Sequence, residues 1–400
     1  MRVLLFSSLY PSVVRPRHGI FVETRLRQLL REGGVDACVI APVPWFPFRH
    51  PVFGAYAAFA ATPRRDRREG GIDVSYPRYL MLPRLGVAFQ PDSMARGALG
   101  DARSLVRAGW VPDLIDAHYL YPDGVAAALL AQRLQRPFVM TARGTDVNVI
   151  ARQSGPGRRV LWAARRAAAI FTVAAPLRDT LVQIGVDPAK IVVLRNGVDP
   201  ELFRPEDPLV ARQRLGLPSG PLVGCVGNLV PEKGQALAID ALAHLPGHTL
   251  VLVGDGPQRP SLAAQVQRRG LEARVRFVPA MPQRELRWLY SALDVLLLTS
   301  LREGWPNVVL ESLACGTPVA AVAVGAVGDM LTTPKVGRIV ASRDEVAFAA
   351  AVATMTAEPT DREAVRRHSA SFDWSSTSRG QMDLFARVIA EHRATARLPS

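Results

Sequence analysis

Short apolar runs alternate with helical stretches through both halves of this 400-residue chain. In the first half the runs fall at 2–7, 37–41, 72–76, 114–118, 138–141, 169–173 and 191–194. In the second half they fall at 222–227, 249–253, 275–278, 295–298, 318–322 and 337–340. This is the pattern of a parallel sheet covered on both faces by helices, and it predicts an α/β chain with two such sheets. The stretch 195–205, Arg-Asn-Gly-Val-Asp-Pro-Glu-Leu-Phe-Arg-Pro, is rich in turn residues and separates the two sets. The expected organisation is therefore a first Rossmann-like domain over 1–205 and a second over 206–372. A last helix within 373–400 is expected to return to the first domain. Open α/β sheets bind ligands at the carboxyl ends of their strands. Two of them facing a central cleft would place a reaction in that cleft.

Composition narrows the class. No stretch approaches the roughly 18 uninterrupted apolar residues of a spanning helix, and Met1-Arg-Val-Leu-Leu-Phe-Ser-Ser8 reads as a first strand and not as a signal peptide. The three cysteines, Cys38, Cys225 and Cys315, are widely spaced in apolar surroundings, which suits buried thiols in the cytoplasm. No metal-ligand spacing links them to the seven histidines, so no metal is expected. Residues 1–200 carry 27 Lys and Arg against 15 Asp and Glu, whereas residues 201–400 carry 22 against 20. A basic first half attracts anionic partners, whether lipid headgroups, lipid diphosphates or nucleic acid, and an anionic membrane surface is one such candidate. Residues 45–89 hold nine of the 27 aromatics together with the run Arg64-Arg-Asp-Arg-Arg68. Rings mixed with arginine suit a membrane interface, and they equally suit a covered sheet edge.

The most specific motif is a pair of glutamates, Glu303 and Glu311, eight residues apart and just after the apolar run 295–298. Gly304, Trp305 and Pro306 break the strand, Asn307 begins a helix and Gly316 stops it. A helix that opens at a strand's carboxyl end offers free N–H groups and a positive dipole end to an anion. Asn307 and Val308 form its first turn, and each flanking carboxylate can accept two hydroxyl hydrogens of a sugar or ribose. A second strand–helix junction, Gly224-Cys-Val-Gly-Asn-Leu-Val-Pro-Glu-Lys-Gly234, places Lys233 beside Gly234 at the start of a helix, where a flexible cation can meet phosphates.

With these flanks, Glu303-x7-Glu311 resembles the signature of the retaining family 4 glycosyltransferases of GT-B architecture. The resemblance runs from the first strand to about residue 340. Within the family the first half is closest to enzymes of bacterial exopolysaccharide and teichuronic-acid type assembly. The resemblance implies transfer of a sugar from a nucleotide diphosphate sugar to a saccharide or lipid-linked saccharide, without metal or other cofactor. It makes Lys233 and Gly234 part of the diphosphate site. It also shows a departure at Asn228, where most members carry arginine, which leaves one cation fewer. In the first half it carries over Gly19 as a close approach of backbone to donor phosphate, and His118 as a contact to the donor sugar. His18, on the same loop as Gly19, is a further anion contact. Arg143 and Asp146 resemble a pair near the acceptor, one to steer an anion and the other to hold or deprotonate a hydroxyl, and an internal ion pair fits them equally well. His118 and Glu303 are the expected catalytic residues.

Other classes fit less well. A nucleic-acid-binding protein would use the net charge of +14, but no recognition motif accompanies it. A nicotinamide dehydrogenase would need Gly-x-Gly-x-x-Gly after the first strand, which is missing. A GT-B phosphorylase needs a pyridoxal-phosphate lysine, and this chain has only Lys190, Lys233 and Lys335.

Overall fold

The computed structural model describes residues 1–81 and 87–395. They form two compact units, Met1–Arg195 with the C-terminal stretch from Ser375, and Asn196–Trp374. Residues 82–86 of the aromatic segment and 396–400 of the C-terminal stretch lie outside the described residues.

The described residues of the first unit form ten strands: β1 Arg2–Phe6, β2 Asp36–Ile40, β3 Val43–Pro44, β4 Arg65–Arg68, β5 Ile72–Ser75, β6 Arg78–Tyr79, β7 Leu114–His118, β8 Phe138–Ala142, β9 Ala169–Thr172 and β10 Ile191–Val193. Eight of them form one sheet in the order β10-β9-β8-β7-β1-β2-β5-β4, and β3 pairs with β6. All pairs are parallel except β4 with β5. The chain leaves β1 toward β2 and β5 on one side and later returns to β7 on the other. The order reverses between β1 and β7, so the loops that follow these strands diverge and open a crevice.

Val3 and Leu5, two residues apart on β1, lie on the same face of the sheet, as the period of a strand requires. Val3 joins Leu114, Val139 and Phe171 beneath the helix Trp374–Thr395, whose Phe385, Val388 and Ile389 are buried there. Leu5 joins Val39 and Val74 against Val22 and Leu26 of the helix Ile20–Arg31. Phe385 is completely buried, and losing a core ring of that kind costs about 3–5 kcal/mol. The C-terminal helix is also tied at its start, where Thr377 Oγ1 donates to the Arg195 carbonyl at 2.6 Å.

The second unit has β11 Leu222–Val226, β12 Thr249–Val253, β13 Val275–Val278, β14 Val295–Leu298, β15 Val319–Val322 and β16 Gly337–Val340. They form one fully parallel sheet in the order β13-β12-β11-β14-β15-β16. Here the order reverses between β11 and β14, the two strands that carry the lysine and glutamate motifs at their carboxyl ends. Every residue of β14 is buried, which is why it reads as an unbroken apolar run. Leu252 and Leu297 pack with Ile239 of the helix Gln235–Leu242 and Phe348 of the helix Glu345–Thr356.

Among the described residues no helix is long and apolar enough to cross a membrane. The cysteines are free thiols, with Cys225 and Cys315 buried and Cys38 half-buried on β2.

Candidate active site

In the second unit the turn after β11 ends at Gly234, which has φ +63°. A Cβ built on this glycine would lie 2.2 Å from the Thr299 carbonyl oxygen, so only glycine lets this junction sit against the end of β14. Thr299 Oγ1 donates to the Lys233 carbonyl at 3.1 Å and fixes the lysine's backbone. The Lys233 ammonium then reaches across the switch point and donates to Glu303 Oε1 at 2.7 Å. Ser300 Oγ donates to the same oxygen at 2.6 Å. Asn228 is exposed on the β11 turn, and its carbonyl accepts from Gln235 Nε2 at 2.9 Å.

After Glu303 the turn runs inward. Gly304, Trp305 and Pro306 are buried, and the Trp305 ring stands against Phe372 with centroids 6.1 Å apart. The helix Asn307–Ala314 opens at Pro306 with no side chain capping it, so its first N–H groups are left for an external acceptor. Asn307 and Val308 are half-buried in this first turn, and Asn307 Oδ1 accepts from Asn196 Nδ2 at 3.1 Å. One turn on, Glu311 is 9% exposed and accepts from the Tyr290 hydroxyl at 2.7 Å. Burial pushes its pKa up to about 7, against a smaller downward pull from that hydrogen bond. Lys233, Glu303, the open helix start and Glu311 thus line one end of the second sheet.

In the first unit the loop after β1 ends at Gly19, with φ +67°, where a Cβ would lie 2.2 Å from the Leu9 carbonyl group. His18 Nε2 bonds the Ser8 carbonyl at 3.1 Å, and burial followed by the nearby Arg15 charge lowers its pKa to about 4. Asp123 holds the start of this loop, accepting from the Ser8 amide and from Ser8 Oγ.

His118 ends β7 at 1% exposure, with both ring nitrogens engaged. Nε2 faces Asp116 Oδ2 at 3.2 Å and Nδ1 faces the Arg143 guanidinium. Arginine can only donate, so Nδ1 accepts and Nε2 carries the proton that it donates to Asp116. Burial, opposed by Asp116, lowers the histidine pKa to about 4, so the ring is neutral at pH 7. Asp116 Oδ2 also accepts from Gln381 Nε2 at 3.1 Å, and Gln381 Oε1 accepts from Arg25 Nε at 2.9 Å. A buried chain of polar groups therefore runs from the C-terminal helix through the end of β7 to Arg143, whose guanidinium lies 5.1 Å from the Phe21 ring centre. Burial and then the Arg25 charge lower the Arg143 pKa to about 9.

Asp146 is fully buried and spends its oxygens on backbone amides: Leu120 at 2.9 Å, Gly144 at 2.8 Å and Arg143 at 3.0 Å. It staples the loops after β7 and β8 together. Among the described residues no three His, Cys, Asp or Glu side chains group as a metal site.

Residues 210–371 match the family described as "Glycosyl transferases group 1", and residues 24–202 match "Glycosyltransferase Family 4". The putative teichuronic acid biosynthesis glycosyltransferase TuaC of Bacillus subtilis (strain 168) is 32% identical over 340 residues, covering 82% of this chain and 83% of that one. The chain belongs to glycosyltransferase family 4. The D-inositol 3-phosphate glycosyltransferase of Mycobacterium tuberculosis is 34% identical over 230 residues, which cover 54% of this transferase and 48% of that enzyme. Solved structures share the fold. Sucrose-phosphate synthase from Thermosynechococcus elongatus has a TM-score of 0.79 at 21% identity, covering 98% of this chain and 99% of that one. HepE of Anabaena, in complex with UDP-glucose, has a TM-score of 0.72 at 23% identity, with coverage of 98% and 99%. The architecture is GT-B, with two Rossmann-like domains.

Three residues of the first unit's network escaped the sequence reading: Arg25, Asp116 as a bridging acceptor, and Gln381. A signal existed for Arg25, which sits directly before Leu26 on the buried side of its helix and is itself 2% exposed. A cation on an apolar stripe needs a buried partner. No such pattern marks Gln381, which lies 265 residues from the aspartate it meets.

Proposed function

We propose that this family 4 glycosyltransferase transfers a sugar, with retention of anomeric configuration, from a nucleotide diphosphate sugar to a saccharide or lipid-linked saccharide in polysaccharide assembly. The observation that carries the reading is the Lys233–Glu303 pair beside the open start of the helix Asn307–Ala314. Without donor, Lys233 is neutralised by Glu303. A diphosphate offers the lysine a stronger anionic partner, supported by the uncapped N–H groups at Asn307 and Val308. Released from Lys233, Glu303 accepts hydrogens from hydroxyls of the donor sugar. Glu311 accepts ribose hydroxyls. With no arginine at 228, the charge that grows on the leaving diphosphate is met by Lys233 and the helix start.

In the reaction the bond from the anomeric carbon to the diphosphate oxygen breaks, and the acceptor hydroxyl oxygen bonds to the same face of that carbon. The acceptor proton passes to the leaving phosphate oxygen, so no protein nucleophile and no resident metal or cofactor takes part. In the first unit, His118 holds the Arg143 guanidinium in place, and Arg143 with His18 receives an anionic part of the acceptor. The loop at Gly19 meets donor phosphate. The name of TuaC supports a polysaccharide acceptor, and the UDP and UDP-glucose complexes of HepE make a uridine diphosphate sugar the first donor to try. The test is nuclear magnetic resonance of the glycosidic product. An anomeric coupling matching the donor's configuration supports the proposal, and the opposite configuration refutes retention.

A further inference from the structure

The first unit holds a cavity of about 480 Å³ that the transfer reaction does not use. Trp45, Phe46, Arg49, Thr62, Arg64 and Arg78 line it. Arg78 is half-buried, and its guanidinium donates to the Tyr76 carbonyl at 3.2 Å and to the Thr62 carbonyl. Its pKa is lowered by burial and then by the charges of Arg64 and Arg49, so three guanidinium groups press on one another here. Among the described residues no carboxylate pairs with any of the three. Other arginines of the unit do meet carboxylates, among them Arg68 with Glu23 at 2.8 Å, Arg27 with Glu69 at 3.0 Å and Arg393 with Asp113 at 2.7 Å. Three uncompensated cations around an open cavity suit an anion carrying more than one oxygen.

The rim of the cavity says what the anion is attached to. Phe46, Phe48, Phe53 and Tyr56 form a chain of ring contacts with centroids 5.2–5.9 Å apart. The group faces solvent, with Trp45 51%, Phe48 56% and Val52 76% exposed. A free phosphate has no use for an apolar rim, whereas a phosphate joined to hydrocarbon does. We propose that this cavity binds the phosphate headgroup of an anionic membrane lipid, with Phe48, Val52 and Phe53 entering the boundary between headgroups and acyl chains. Thr62 also lines a smaller cavity with Ser8, Arg15 and His18, so the headgroup site shares a wall with the loop that precedes Gly19. The run 64–68 does not act as one basic patch. Only Arg64 reaches the cavity, Arg65 and Arg67 stand exposed on β4, and Arg68 is committed to Glu23 and to Asp66 at 3.9 Å.

The experiment measures flotation of the full chain with vesicles of phosphatidylglycerol and phosphatidylcholine, against phosphatidylcholine alone. Three double variants are compared: Arg49→Ser with Arg64→Ser, Phe48→Ser with Phe53→Ser, and Arg107→Ser with Arg133→Ser. The last removes the same charge from exposed helix positions outside the cavity. Each is first checked for an unchanged melting temperature. The wild type floats with the anionic vesicles. The Arg49/Arg64 variant binds them about 30-fold more weakly, and the Arg107/Arg133 control stays within about twofold. Inorganic pyrophosphate, titrated without vesicles into proteins that also carry Lys233→Ala to weaken the diphosphate site of the second unit, separates headgroup from free anion. On that background the Phe48/Phe53 variant binds pyrophosphate as its parent does, but the variant no longer floats. Flotation of that variant like wild type overturns the lipid assignment. A loss in the Arg49/Arg64 variant no larger than in the control overturns the site. Nucleotide binding is untouched in the three double variants themselves, so the result stands apart from that of the transfer reaction.

Discussion

Replacing Glu311 by glutamine should stabilise the empty transferase and weaken its grip on nucleotide. The carboxyl is buried, and burial raises its pKa from 4.5 to about 7, against the smaller pull of the Tyr290 hydroxyl that donates to it. At about 1.4 kcal/mol for each tenfold change in proton affinity, that rise amounts to at most about 3 kcal/mol. The sign follows from linkage. A folded-state pKa above the unfolded value gives stability that is full below 4.5 and is lost as pH rises through about 7. Glutamine accepts from Tyr290 without a charge, so the variant escapes this loss. Thermal unfolding of both proteins from pH 4.5 to 8 should give nearly equal melting temperatures at the acid end. At pH 8 the variant should lead by on the order of 5 °C. Nucleotide hydroxyls that donate to Glu311 favour its charged form, so binding near pH 7 should release a proton, visible as a binding heat that depends on the buffer. The variant should lose that dependence together with about 1–3 kcal/mol of affinity. A stability gain that is the same at both ends of the pH range, or none at pH 8, refutes the argument.

Three further outcomes follow from the same geometry. Arg25→Ala strips a buried cation from Gln381 and the Asp116 network, and calorimetric unfolding should show a loss of about 3–5 kcal/mol. His118→Ala frees Arg143 from its rest position, so turnover should fall about 10- to 100-fold while titrated nucleotide affinity stays unchanged. Turnover should persist in EDTA after dialysis, and a strict requirement for added divalent metal would contradict the proposed chemistry.

The strands were legible because buried parallel strands are continuous apolar runs, and each of the runs read from the sequence overlaps an observed strand. β4 was not, since Arg-Asp-Arg-Arg contains nothing apolar. It pairs antiparallel at the sheet edge, where its side chains alternate between exposed and half-buried, and Arg68 is drawn in by Glu23. The two-residue strands β3 and β6 are too short to carry any periodicity. In the second unit the placement of Lys233, Gly234 and Glu303 at strand–helix junctions was legible, because such junctions announce themselves through glycine and proline. The contact between lysine and glutamate was not, because it crosses 70 residues and depends on which strands are neighbours. His118 is expected to contact the donor sugar, and what the sequence did not reveal is that Asp116 and Arg143 face its two ring nitrogens. The aromatic segment proved mixed, with Tyr76 and Tyr79 buried and Trp45 and Phe48 exposed, which no count of rings could have divided.

The central claim is that a nucleoside diphosphate binds the second unit through Lys233. It is tested most directly by titrating UDP, GDP and ADP into the wild type and into Lys233→Ala in a calorimeter. At least one nucleotide should bind the wild type, and its affinity should fall by about 1–3 kcal/mol in the variant, the scale of a charge-assisted hydrogen bond. No binding by any of the three, or equal affinity in the two proteins, would contradict it.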